Sequence, residues 1–233
     1  MTDHEKPPVL MIPGFACTAR MYEGIVSALP GRATIVADHT RAATMGEIAD
    51  AILAEAPPRF ALCGFSMGGY IALEIMARAP ERVSRLALMD TQAQPESAAA
   101  RAARLERLEV ARARGMRAAA EHNWTSMVHP ARYDNSALKQ IVVDMAQETG
   151  LAAFERQAAA ILARADSQPI LASIKAPTLV LVGAQDALTP PARAHEMADA
   201  IAGARCVVIP ESGHMTTLEQ PAATQAALVE FLS

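Results

Sequence analysis

The chain reads as an α/β protein built on a mostly parallel sheet of about six strands, with helices on both faces and one helical insert. Three observations carry that reading. Short apolar runs rich in β-branched residues alternate with helical patterns along most of the sequence, which is how a helix comes to cover each crossover between parallel strands. That rhythm stops between Thr91 and Pro169, where Ala, Arg, Glu and Leu take over. The chain has 233 residues, 52% of them hydrophobic, and fits one domain, because single cores stop growing beyond about 250 residues.

Strands are expected at 9–12, 33–37, 59–63, 83–89, 178–182 and 205–209. Helices are expected near 19–29, 44–55, 69–79, 190–201 and 217–232, with the insert spanning about 91–170. Within the insert, Arg101, Arg104, Arg107, Arg112, Arg114 and Arg117 form a basic stretch, partly offset by Glu106 and Glu109. At i,i+3 and i,i+4 spacing this reads as a solvated helix face rather than a site for an acidic partner. Trp124, Met127, Met145 and Phe154 are its large apolar side chains, candidates to wall a substrate pocket, although such spacing also describes plain core.

The most specific signal is Gly64-Phe65-Ser66-Met67-Gly68-Gly69, between the apolar run ending at Cys63 and the helical pattern after Tyr70. A serine on so sharp a strand-to-helix turn needs small neighbours, since a side chain at Gly64 or Gly68 would meet backbone doubling back past it. The turn lifts the hydroxyl out of the sheet and leaves the Met67 N–H unpaired at a helix start, where negative charge is favoured. A serine nucleophile also requires a base that titrates near neutrality, held in one tautomer by a carboxylate. Of six histidines, His214 stands out, in the loop Glu211-Ser212-Gly213-His214 between an apolar run and the last helix. Two carboxylates could serve it. Asp186 lies in Gly183-Ala184-Gln185-Asp186 just past a strand, and Asp90 ends the strand 83–89, where it also reads as a cap opening the insert.

In these motifs the chain resembles the α/β-hydrolase family, over roughly Val9 to Leu232. The order Ser66, Asp186, His214 is the family's order, and Asp186 occupies the commoner position for its acid, while some similar enzymes draw the acid from the place of Asp90. The resemblance implies a backbone oxyanion hole from Met67 and from Phe15 in Pro13-Gly14-Phe15, with Pro13 where the family often has histidine. It implies hydrolysis of a small or medium carboxylic ester through an acyl-enzyme, with no metal or organic cofactor and with the insert as a lid. Enol-lactone, thioester or carbon–carbon bond hydrolysis on the same serine is compatible with it, as is halide oxidation by a peracid as a side activity. A non-catalytic ligand-binding relative is the alternative from another class. The loop Asp38–Ala43 lacks the glycines the family often has there. The family usually opens with an antiparallel pair ahead of Val9, so a trimmed sheet is expected, its edge short or covered by a second subunit in a homodimer.

Composition narrows the partners. A net charge of −4 gives no basic field for nucleic acid or an anionic membrane surface. Cys17, Cys63 and Cys206 are odd in number and widely spaced, which argues against disulfides and a zinc site and fits a reducing compartment. Cys63 and Cys206 read as buried in strands, and Cys17, two residues after Phe15, is a candidate to line the pocket but reads first as lying away from it. The start of the chain is polar and no apolar run is long enough for a membrane helix, so a cytoplasmic protein is expected.

Overall fold

The computed structural model describes residues 6–233, and the stretch before them, with His4, lies outside the described residues. The apolar runs form β1 (Val9–Ile12), β2 (Thr34–Val36), β3 (Phe60–Phe65), β4 (Val83–Met89), β5 (Thr178–Gly183) and β6 (Arg205–Ile209). All pair in parallel, in the order β2-β1-β3-β4-β5-β6. Between them lie α1 (Glu23–Ser27), α2 (Met45–Glu55), α3 (Met67–Arg78), α4 (Ala98–His122), α5 (Trp124–Met127), α6 (Ser136–Ala163), α7 (Gln168–Leu171) and α8 (Pro191–Ala200), and after β6 come α9 (Thr216–Glu219) and α10 (Pro221–Leu232).

Side chains alternate across a strand, so a strand apolar at every position must find cover on both faces. Leu10, Leu62, Leu88 and Val180 pack on one face with Ile48 of α2, Ile71 of α3 and Met197 of α8. Met11, Cys63, Met89 and Leu181 pack on the other with Ile25 of α1 and Leu228 of α10. The edges differ. β2 is only three residues long, and Cys206, expected to be buried, is half-buried because β6 closes the other edge.

Two expected helices change form. The pattern near 19–29 becomes a tight 3₁₀ turn, Ala19–Tyr22, followed by the short α1, and the last helix divides at Pro221, whose missing N–H cannot continue α9. The insert supplies α4 to α7 between β4 and β5. Its two long helices break at Gly115 (φ 84°) and Gly150 (φ 72°), a backbone region glycine enters without steric cost. They share a core of their own, including Leu108, Met116, Val143 and Phe154, which meets the rest of the protein at Phe15 and Ala16.

The strand order reverses beside β1. The chain leaves β1 for β2 on one side, returns to β3 on the other and then advances to β6, so the loops leaving β1 and β3 diverge and open a crevice at their carboxyl ends. No helix among the described residues is long and apolar enough to cross a membrane.

Leu62 is fully buried in the central β3, whereas Ile35 on the β2 edge is 37% exposed. Leu62→Ala is expected to cost about 2–5 kcal/mol in urea unfolding, and Ile35→Ala under about 1 kcal/mol. Equal losses would mean that the sheet is not anchored at its centre.

Candidate active site

Ser66 occupies the crevice. It joins β3 to α3 with φ 52° and ψ −115°, a left-handed backbone that costs a non-glycine residue about 1–3 kcal/mol. Its surroundings hold it there: the Ser66 N–H donates to Met89 O at 2.8 Å, and Ser66 O accepts from Gly69 N–H at 2.9 Å and Thr91 Oγ1–H at 2.8 Å. The glycines are required by contact. A Cβ on Gly68 would lie 2.0 Å from Ile12 O, and one on Gly64 2.3 Å from Gly68 O.

His214 reaches Ser66 from the loop after β6, its Nε2 2.9 Å from Ser66 Oγ and its Nδ1 2.7 Å from Asp186 Oδ2. One tautomer satisfies both contacts: Nδ1–H donates to the carboxylate, and Nε2 accepts from the serine hydroxyl. Asp186 accepts further hydrogen bonds from Leu188 N–H (2.8 Å), Thr189 N–H (2.9 Å) and Thr189 Oγ1–H (2.7 Å). Asp186 and His214 are both buried. Such an arrangement can move the hydroxyl proton to imidazole as the oxygen attacks.

The loop after β1 completes the near wall. Phe15 and Met67 both line a cavity of about 130 Å³ that opens on Ser66 and His214. Their backbone N–H groups have no protein acceptor among the described residues. Behind the loop, Gln157 Oε1 accepts from Ala16 N–H at 3.1 Å, and His39 Nε2 lies 3.0 Å from both Gly14 O and Gln157 Nε2. Burial pushes the His39 pKa down, which favours the neutral ring.

The model of the alpha/beta hydrolase fold matches residues 41–221. The chain belongs to that family. BpoC of Mycobacterium tuberculosis, which carries a non-heme bromoperoxidase label, is 31% identical over 195 residues, 76% of this chain and 69% of that one. A thermophilic esterase from Thermogutta terrifontis, solved with malate bound, superposes with a TM-score of 0.86 at 29% identity, over 97% of this chain and 89% of that one. The enol-lactonase of Burkholderia xenovorans LB400 gives 0.85 at 26% identity, over 98% and 92%.

In this hydrolase, Asp90 does not reach the histidine. Its Oδ1 accepts from Gly183 N–H at 2.9 Å and its Oδ2 from Thr216 Oγ1–H, so it ties β4, β5 and α9 together. Of the four apolar pocket candidates, Met127 alone lines the cavity. Trp124 and Met145 belong to the core under the sheet, and the Trp124 Nε1–H donates to Tyr133 O at 2.9 Å. Phe154 stacks behind Phe15, ring centroids 4.4 Å apart, and so supports the wall without forming it. Cys17, expected to lie away from the pocket, lines it.

Several polar groups at the site carry no sequence signal by themselves. Glu219 accepts from Gly213 N–H (2.9 Å), Met215 N–H (3.2 Å) and His129 N–H (2.7 Å), gripping the His214 loop on both sides, while burial raises its pKa. Arg104 and Arg107, read from sequence as part of a solvated face, turn into the cavity, and Arg107 is only 8% exposed. The rest of the basic stretch does face outward: Arg112 pairs with Glu109 and Glu155, and Arg117 with Glu121.

Burial, reinforced by the nearby Asp186 charge, raises the Asp90 pKa well above the ordinary carboxylate value. The folded protein therefore keeps a proton there that the unfolded chain has lost, and this group's contribution to stability falls as pH rises from about 4 through the folded pKa. Asparagine is isosteric with the protonated acid, its Nδ2–H donates to Thr216 Oγ1 once that hydroxyl turns to accept, and it tolerates the positive φ of 44°. Asp90→Asn is expected to melt at a higher temperature than the parent, by a margin that grows between pH 5 and pH 8 in thermal scans. A margin that shrinks with pH would mean that Asp90 is stabilised as the anion.

Proposed function

We propose that this hydrolase cleaves small carboxylic esters through a covalent acyl-enzyme on Ser66. The observation that carries the reading is the unbroken line Ser66 Oγ, His214 Nε2, His214 Nδ1, Asp186 Oδ2, at 2.9 Å and 2.7 Å. Ser66 Oγ attacks the carbonyl carbon while its proton passes to His214 Nε2, and the resulting oxyanion is held by the Phe15 and Met67 N–H groups. When the tetrahedral species collapses, the bond to the leaving alkoxide breaks and His214 returns the proton to it. Water then attacks the acyl-enzyme by the same route, releasing the acid and restoring the serine. Asp186 keeps the imidazole in the productive tautomer and stabilises the imidazolium.

A lactone is the second substrate form supported, because the Burkholderia xenovorans enol-lactonase shares the fold across 98% of this chain. In that case the leaving alkoxide stays tethered to the acyl group. The helices between β4 and β5 act as the lid in this reading, and the three free cysteines fit a cytoplasmic enzyme acting on a small molecule.

A fluorophosphonate should form one adduct, located on Ser66 by peptide mass, and an adduct elsewhere would overturn the assignment. Asp186→Asn should fold normally and lose on the order of 10⁴ in kcat, about 5.5 kcal/mol, on a p-nitrophenyl ester. The kcat/KM of the parent should fall on acidification, because imidazolium cannot accept the serine proton. A rate indifferent to acid, with acylation shown to be limiting, would remove His214 from the base role.

A further inference from the structure

The cavity beside Ser66 holds more positive charge than the protein neutralises. Arg104 and Arg107 both line it, their guanidinium carbons 5.0 Å and 5.1 Å from the centroid of the Phe15 ring. Arg104 is paired: its Nε and Nη2 donate to Glu96 Oε1 at 2.8 Å and 2.5 Å. Arg107 is not. It is 8% exposed, its Nε–H donates to the backbone oxygen of Ala119 at 3.0 Å, and it has no carboxylate within ion-pair distance among the described residues. A third guanidinium, that of Arg164, stands 4.0 Å from the centroid of the cavity-lining Tyr70 ring, with Nε and Nη2 buried and lacking an acceptor.

A cation taken out of water is costly unless it is paired, and a buried arginine normally fills its fork of donors with acceptors. At Arg107 the Phe15 and Phe154 rings offset part of that cost, since a guanidinium gains from lying over an aromatic face. They supply no oxygen. Cys17 cannot act as the counterion either: burial pushes its thiol up to about 12, so it is neutral at physiological pH. Arg107, lowered to about 10 by burial and by the neighbouring Arg104, remains a cation there.

We propose that Arg107, with Arg104 beside it, binds a carboxylate carried by the substrate, so that the enzyme acts on small anionic esters or lactones rather than neutral ones. The proposal rests on the hydrolase reading of Ser66. The unused edge of a guanidinium matches the two oxygens of a carboxylate. Phe15 connects the two functions, for its ring lies under both arginines while its N–H belongs to the proposed oxyanion site. The anion would therefore sit a short chain away from the scissile carbonyl, in a cavity smaller than the roughly 300 Å³ of drug-sized sites.

The test compares monomethyl glutarate with methyl pentanoate, which differ only in a carboxylate replacing a methyl, by following methanol release. The parent should favour the anion in kcat/KM by about tenfold or more, the effect of one hydrogen bond to a charged group. Arg107→Met should erase most of that ratio, and using a ratio cancels any general disturbance of the Phe15 loop. Calorimetric titration with glutarate reads the anion site without turnover, and binding should weaken by about tenfold in Arg107→Met. Should that variant fail to fold, the preference of the parent and its inhibition by propionate rather than propionamide still decide the matter. A preference for methyl pentanoate, or equal rates together with no glutarate binding, would overturn the proposal. Glutarate binding that depends on Arg107, with neither ester cleaved and no fluorophosphonate on Ser66, would instead overturn the hydrolase reading and leave the anion site standing.

Discussion

The site depends on how closely two turns of backbone can approach at the carboxyl ends of the strands. Gly68 lies against the carbonyl of Ile12, and Gly64 against that of Gly68, at separations where a single added carbon would overlap. Only that contact lets the turn carrying Ser66 press against the loop carrying Phe15, so that Phe15, Ser66 and Met67 border one small cavity. The same constraint recurs across the crevice. A Cβ on Gly183 would fall 1.9 Å from Gly213 O, so the loops bearing Asp186 and His214 are seated by a second backbone contact of the same kind.

Around those contacts, the polar groups are held mainly by backbone donors. Asp186 takes two N–H groups from its own loop, Glu219 takes three from the loops around His214, and Asp90 bridges two strand ends and a helix. Three buried carboxyl groups within one region would repel as anions. Burial shifts Asp90 and Glu219 toward their protonated forms, which limits the charge gathered near the imidazole. Beyond this cluster the insert brings the opposite sign, with Arg104 and Arg107 over the far side of the Phe15 ring. The lining of the cavity itself carries Arg104, Arg107 and the Glu96 that pairs with Arg104, while Asp186 sits behind the His214 ring.

The sequence by itself determined the parallel sheet, because fully buried strands flanked by amphipathic helices leave an unmistakable alternation. It also determined the turn at Ser66, because only small residues survive a backbone approach near 2 Å. Tertiary structure decided what depends on facing and distance. Asp90 and Asp186 both follow strands and look alike in sequence, yet only Asp186 meets the ring nitrogen of His214, while Asp90 is spent on Gly183 and Thr216. Trp124, Met145 and Phe154 share the apolar character of a pocket wall, but Trp124 and Met145 pack into the core under the sheet and Phe154 into the core between α4 and α6. Arg104 and Arg107 carry the same charges at the same spacings as their solvent-facing neighbours. A helical period assigns residues to faces without saying which face a neighbouring element will cover, and here the cover is the Phe15 loop, about ninety residues earlier in the chain.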